Sequence, residues 1–460
     1  MQDKETILGI TESLCPECLQ RIKAKRVEVN HTVYLEKTCK DHGDFCTVIW
    51  RGQPSYTSWS VAKLPSRPPV CATNISQGCP FDCGLCPDHR QHTCCVLLEV
   101  TKRCNLHCPI CFAKAGSEES DPDRTTIENW YRLLLKSGGP YNILLSGGEP
   151  TLRDDLPEII ASGRSLGYDF IQVNTNGLRL ARDYSYVKRL KEAGLSCVFL
   201  QFDGTNDEIY EKLRGTALLA EKQAAITNCV KLQLGVVLVP TLVPGVNTQN
   251  IGSIIQYAIE QMPTVRGVHF QPVSYFGRYP QEPSDRERIT IPEVINKIVK
   301  QTGGKFQIED FRPPRGENAY CSFHGNFVLM NNGELKAWSN AGSKGCCQPQ
   351  VAAVEARKAR TFVAKRWSAP QKAERRDIEN KEEKYGDDIN VGSMDAFLDR
   401  VEKYSFCISG MAFQDVWNLD LDRLRECFIH VVSPDSRIIP FCAYNLTDKQ
   451  GNPLYRPLKR

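Results

Sequence analysis

Short apolar runs, often β-branched, alternate with longer amphipathic stretches through the middle of the chain. The runs are Val96–Val100, Ile143–Leu145, Phe170–Val173, Cys197–Phe202, Leu234–Val239 and Gly267–Phe270. Between them, Ile127–Ser137, Leu156–Leu166 and Tyr184–Ala193 carry apolar residues at helical spacing. Repeated strand–helix units predict a parallel sheet with right-handed crossovers. Six units fit an open or partial β/α barrel better than a closed eight-fold one. Further on, Glu355–Glu383 is dense in Lys, Arg and Glu and reads as a solvated surface helix.

The chain has 460 residues, too many for one core, since single cores stop growing near roughly 250–300 residues. Two or three domains, or one large barrel with appendages, are expected. Apolar residues make up 41% and charged residues 24%, an ordinary soluble composition. The longest apolar runs, such as Cys95–Val100 and Leu232–Val239, fall short of the ~20 residues of a membrane span, so an integral membrane protein is not expected. Met1–Glu5 opens no secretory stretch, which points to the cytoplasm. A net charge of +4 on 58 basic and 54 acidic residues predicts no nucleic-acid partner. The 21 cysteines change the picture. A large chain in a compartment that keeps thiols reduced has no need of disulfide staples, so they point to metal.

The cysteines cluster. Cys15 through Cys111 form a dense head, only Cys197 and Cys229 lie in the middle, and Cys321, Cys346, Cys347, Cys407, Cys427 and Cys442 follow. The strongest motif is Cys104-Asn105-Leu106-His107-Cys108-Pro109-Ile110-Cys111, directly after an apolar strand. Three thiolates at this spacing can bind three irons of a [4Fe–4S] cube and leave the fourth open. A zinc knuckle competes, but structural zinc wants four ligands. Gly147-Gly148-Glu149-Pro150 follows at the end of the next strand. Adjacent glycines let backbone approach a ligand closely, and the glutamate can accept from an ammonium group.

Together the two motifs resemble the radical S-adenosylmethionine (radical SAM) superfamily over roughly residues 96–275. The resemblance implies that Cys104, Cys108 and Cys111 hold the catalytic cluster, whose open iron chelates SAM. It assigns Gly147, Gly148 and Glu149 to SAM's amino end, and places Ile110, where an aromatic residue is common, near the adenine. Asn174, Asn176 and Asp203 at strand ends are further candidates. Arg214 could pair with SAM's carboxylate or be a surface helix arginine.

A second loop of the same spacing, Cys79, Cys83 and Cys86, has no strand before it and lies close to Cys94 and Cys95. It reads as an auxiliary [4Fe–4S] site completed by Cys94, with a four-cysteine zinc site as the alternative. In the head, Cys15-Pro16-Glu17-Cys18 and Cys39-Lys40-Asp41-His42-Gly43 flank a hairpin-like Val27–Lys37. Three thiolates and one imidazole can close a tetrahedral mononuclear site for zinc or iron, with Gly43 supplying the turn and Cys46 as the substitute for His42. In the tail, Cys427 and Cys442 flank two strand-like runs and make half of a further site. Cys321, Cys407 and one of Cys346 and Cys347 are candidates for the rest, while Cys407, Cys197 and Cys229 also read as buried thiols.

With head and tail included, the chain resembles a narrower multi-cluster group. That group comprises archaeal tetraether lipid synthase, the pterin-methylating radical SAM enzymes of methanogens and, most similar in Ser409–Asp415, the bacterial radical SAM (seleno)protein TrsS. The implied architecture is a TIM-like partial (β/α)6 barrel over 96–310. A rubredoxin- or zinc-ribbon-like head spans 1–70, an auxiliary-cluster segment 71–95, and a small metal-binding C-terminal cap 311–460. The implied activity is reductive cleavage of SAM to a 5′-deoxyadenosyl radical that abstracts hydrogen from an unactivated C–H bond, for C–C bond formation or oxidation. C-methylation is the alternative, and a non-catalytic iron–sulfur carrier is the competitor from another class. A small-molecule or lipid substrate and a low-potential donor such as ferredoxin or flavodoxin are the implied partners.

Overall fold

Six parallel strands carry apolar side chains outward and mixed side chains inward. They are β5 (Cys95–Thr101), β6 (Asn142–Gly147), β7 (Ile171–Thr175), β8 (Cys197–Gln201), β9 (Gly235–Val239) and β10 (Val265–Pro272). Each pairs in parallel with the next, as the alternating pattern predicts. The computed structural model describes residues 5–116, 120–338, 349–369 and 394–456, with the side chains of 394–397 excepted. Outward-facing Val96, Leu98, Ile143, Leu145, Val173, Val198 and Leu238 form the main core with the connecting helices. Helix Arg124–Lys136 starts where the Asp123 carboxylate accepts from Thr126 N, and Asn206 caps helix Asp207–Arg214 in the same way.

The tail extends this sheet at both edges. Strand β11 (Ser322–Leu329) carries β12 (Leu335–Ala337) and pairs antiparallel with β13 (Ser405–Met411), which runs parallel to β10. On the far side, β14 (Ile429–Val432) lies parallel to β5 and forms a hairpin with β15 (Ile438–Pro440). The strand order is therefore β12-β11-β13-β10-β9-β8-β7-β6-β5-β14-β15.

The head is an antiparallel sheet of β1 (Thr6–Leu14), β2 (Arg21–Val29), β3 (Thr32–Cys39) and β4 (Gly43–Arg51). Its expected hairpin is β2–β3, turned at Asn30 and His31 with φ of 49° and 61°. The head docks on the tail: buried Lys37 donates to Val416 O at 2.6 Å, and Lys449 N donates to Pro16 O at 2.8 Å.

The segment expected to be a solvated surface helix is different in part. Helix Ala352–Trp367 buries Ala352, Glu355 and Ala356 and crosses the barrel where β6, β9 and β10 begin. Asn142 Nδ2 donates to Arg360 O at 3.1 Å, Arg266 Nε donates to Arg366 O at 3.0 Å, and Gly235 has no room for a Cβ beneath Trp367 O. Its alanine- and valine-bearing face, with Ala359, Val363 and Trp367 on the cavity, forms the floor of the barrel. Residues 370–383 lie outside the described residues, as do Cys346 and Cys347. No helix among the described residues is long and apolar enough to cross a membrane.

Candidate active site

The C-terminal ends of β5 and β6 approach so closely that only glycine fits. Gly147, at φ +124°, would put a Cβ 2.1 Å from Thr101 O, and a Cβ on Gly148 would sit 2.1 Å from Arg103 O. Hydrogen bonds from Gly148 N to Thr101 O and from Glu149 N to Arg103 O, both 2.8 Å, lock the two strand ends together. The Gly-Gly pair thus fixes the start of the cysteine loop. Glu149 is 1% exposed, and its carboxylate accepts from Thr151 N (3.0 Å), Thr151 Oγ1 (2.6 Å), Thr175 Oγ1 (2.7 Å) and Asn176 N (2.6 Å). It fastens the ends of β6 and β7 to each other. Asn176 continues the network by donating from Nδ2 to Asn105 Oδ1 at 2.7 Å, inside the cysteine loop.

Cys104, Cys108 and Cys111 face one another across the mouth of a cavity of about 340 Å³ that runs down the barrel. Burial pushes the Cys104 thiol up to about 11. The loop is clasped from the end of β10. Arg278 exchanges two backbone hydrogen bonds of 2.9 Å with Cys111 and donates from Nε to Cys108 O at 2.8 Å. Three thiols opening onto a cavity fit a cube held at three corners with room at the fourth.

Ile110 of the loop and the candidates beyond it fall on the same cavity wall: Gly147, Gly148, Glu149, Asn174, Asn176 and Arg214. Arg214 is buried and forms a bidentate pair with Asp203, 2.7 Å on each arm, so it is no surface arginine. Asp203 also accepts from Thr241 N at 3.0 Å. This pairing and nearby Cys108 outweigh burial and hold the guanidinium firmly charged. The motifs did not signal Glu99 and Arg456. They form an ion pair on the wall, braced by Asn445 and Tyr444. They also missed Lys222, which is fully buried, donates to Asn176 O and is pushed down to about 8 by burial.

In the head, one ligand atom each from Cys15, Cys18, Cys39 and His42 lies within 4.8 Å of every other. His42 Nδ1 is 3.6 Å from Cys15 Sγ and 3.5 Å from Cys39 Sγ. A tetrahedral ion with bonds of about 2.0–2.3 Å wants ligand atoms roughly 3.5–3.8 Å apart, so the donor set fits one. The His42 imidazole lowers the Cys39 thiol to about 6, whereas burial pushes the neighbouring Cys15 thiol up to about 11. Gly43 takes φ +77° at the turn, and Cys46 is exposed on β4, apart from the group.

Cys79, Cys83 and Cys86 are buried together. A contact between Cys79 and Cys83 lowers the first thiol and raises the second. Asp82 Oδ2 accepts from the backbone N–H groups of Ser76, Gln77 and Gly78, and Tyr455 OH donates to Pro80 O at 2.6 Å. Cys94 packs against Met411 and Phe428 and faces the barrel cavity beside Cys95. In the tail, Cys427, Cys442 and Cys321 interact electrostatically, and Arg423 Nη2 lies 3.6 Å from Cys321 Sγ. Cys407 sits elsewhere, on β13 beside Gly267 of β10.

Two sequence profiles match the chain: the Radical SAM superfamily at residues 98–258, and the HMPTM N-terminal zinc ribbon domain at residues 7–51. The 7,8-dihydro-6-hydroxymethylpterin dimethyltransferase of Methanocaldococcus jannaschii is 35% identical over 96% of this chain and 94% of its own length. The Fe-coproporphyrin III synthase of Methanosarcina barkeri is 41% identical over 26% of this chain and 29% of that protein. For the GTP 3′,8-cyclase of Corynebacterium glutamicum the figures are 30%, 48% and 58%. The likeness to the first runs through head, barrel and tail, and the cysteine-lined barrel agrees with it. The chain belongs to the radical SAM superfamily and is a radical SAM enzyme, with a [4Fe–4S] cluster and SAM as cofactors and further metal centres beside them.

Proposed function

We propose that this enzyme forms a carbon–carbon bond at an unactivated position of a small substrate, and that the bond is made by C-methylation of a dihydropterin-like compound. The observation that carries this reading is the likeness to a dihydropterin dimethyltransferase along nearly the whole of both chains. When bound, the cluster and SAM supply a 5′-deoxyadenosyl radical for hydrogen abstraction. The chain's own part is to hold, aim and shield. Cys104, Cys108 and Cys111 would hold the cluster. Gly147, Gly148, Glu149, Asn174, Asn176, Ile110 and the Asp203–Arg214 pair would shape the SAM side of the cavity. The floor helix and the apolar wall exclude water from the reacting centre. A low-potential ferredoxin or flavodoxin would supply electrons.

Anaerobically reconstituted enzyme, SAM, reductant and 7,8-dihydro-6-hydroxymethylpterin test the proposal by mass analysis. Methylated pterin is expected, with both 5′-deoxyadenosine and S-adenosylhomocysteine among the products of SAM. Release of 5′-deoxyadenosine alone, with a coupled or oxidised product, would favour radical coupling or oxidation instead.

Two of the metal assignments have their own tests. Cys15, Cys18, Cys39 and His42 would hold one zinc, the metal named for the matching domain. Chelation of an air-oxidised sample is expected to leave one tightly held ion per chain, and Cys15→Ala to remove it. Cys79, Cys83 and Cys86 would hold a complete auxiliary cluster if Cys94, which lies beside Cys95 on the barrel cavity, turns to it as fourth ligand. Such a cluster has no open iron, so a variant lacking Cys104, Cys108 and Cys111 should keep a [4Fe–4S] paramagnetic signal that SAM does not shift. Adding Cys94→Ala should alter that signal; zinc in its place, with no signal, rejects the cluster.

A further inference from the structure

The barrel cavity changes character with depth. Near the cysteine loop its wall mixes glycine backbone and polar side chains with Leu106, Ile110 and Phe112. Deeper, against the floor helix, Phe199, His269 and Trp367 form an aromatic group. The Phe199 and Trp367 rings stack at 5.1 Å and 29°, and Phe199 and His269 lie 5.5 Å apart at 40°. Gln172, on β7 next to β8, is 0% exposed and lines the same cavity. Its Nε2 donates to Asn174 Oδ1 at 3.0 Å, while its Oε1 has no partner. A buried amide oxygen left unpaired costs roughly 1–3 kcal/mol. The fold does not demand that cost, because Gln172's register neighbours Leu144 and Cys197 pack without any such polar group. An acceptor left buried and unpaired in a residue that borders a cavity points to a donor on a ligand.

The charges on the wall say what kind of ligand. Glu99 is paired with Arg456, Arg214 with Asp203, and Glu149 is saturated by four donors. His269 is held neutral, lowered to about 4 by burial, with Nδ1 at 2.9 Å from Ser409 Oγ. Among the described residues, the charged side chains of the wall are already paired or saturated, whereas aromatic rings and an unpaired amide oxygen border its deeper part.

We propose, building on the function proposed above, that Gln172 is a specificity-determining residue whose Oε1 accepts an N–H from a planar, uncharged nitrogen heterocycle lying against Phe199. The plane of such a ring suits the aromatic face. Its ring N–H satisfies the acceptor that Gln172 leaves open. A site built to hydrogen-bond a substrate N–H rejects an analogue that lacks it far more strongly than an apolar pocket does.

The test is equilibrium binding to the reconstituted enzyme with SAM and without reductant, so that nothing turns over. The probes are 7,8-dihydro-6-hydroxymethylpterin and 1,3-dimethyllumazine, a pteridine bicycle with no N–H, whose two pyrimidine nitrogens carry methyl groups and whose 2-amino group is replaced by an oxo group. Wild type is expected to prefer the dihydropterin by about tenfold or more. Gln172→Leu should weaken dihydropterin binding by about tenfold and erase most of that preference. Phe199→Leu should weaken both compounds together, and it carries the test if Gln172→Leu fails to load iron. Equal dihydropterin affinity in wild type and Gln172→Leu, or unchanged affinities in Phe199→Leu, overturns the inference and leaves the methylation reading standing. Wild type that binds neither compound overturns the inference too. The SAM product analysis then reports separately whether methyl transfer survives with another substrate.

Discussion

Alanine at Cys104, Cys108 or Cys111 is expected to reduce SAM cleavage to the background of the assay while the protein keeps several irons per chain. The loop supplies three thiols and no more, so losing one leaves a cube with two protein anchors. The other cysteines cannot substitute, because Gly148, Arg278 and Asn176 fix this loop from three sides. Release of 5′-deoxyadenosine by any of the three variants would reject the loop as the SAM-cluster site. Iron and sulfide counting on the same samples separates loss of one cluster from loss of the fold.

The Asp203–Arg214 pair should give the second large effect. Both side chains are almost wholly enclosed, at 0% and 5% exposure. Removing one partner strands a buried charge, which costs about 3–5 kcal/mol in comparable pairs. Asp203→Asn is therefore expected to lower the unfolding midpoint and to weaken SAM binding, since Arg214 lies on the cavity wall by Cys108. Replacing both residues, Asp203→Leu with Arg214→Met, should recover much of the stability, because no charge is then left unpaired. It should not recover SAM binding. Full recovery of both would make the pair a packing element with no part in the site.

Much of this was legible in the chain. The barrel strands announce themselves because both faces of a parallel sheet are buried, and the runs between helices stay apolar. The head site was legible because ligand spacing on a knuckle is local, and Cys15, Cys18, Cys39 and His42 do converge. The floor helix was not, because its packed face is built from Ala352, Ala356, Ala359 and Val363, too small to stand out among lysines and arginines. Nor were the pairings of β13 with β10 and β14 with β5, since contacts between distant segments leave no periodic trace. Gln172 did leave a signal. Ile171-Gln172-Val173-Asn174 alternates apolar and polar in a strand whose two faces are both enclosed, so the polar face must line something.

The flanking of the barrel by its own tail also bears on how the molecule is made. Cys95 pairs with Ile429, and Gly267 with Cys407, so neither edge strand of the barrel can be covered until almost the entire chain has left the ribosome. Contacts of such long range are slow to form, and bare strand edges in the interim are prone to associate with other chains. A chain truncated before residue 405 is therefore expected to aggregate even though its six central strands are all present. Full-length protein is expected to mature late and after synthesis, which makes the nascent barrel a client for chaperones.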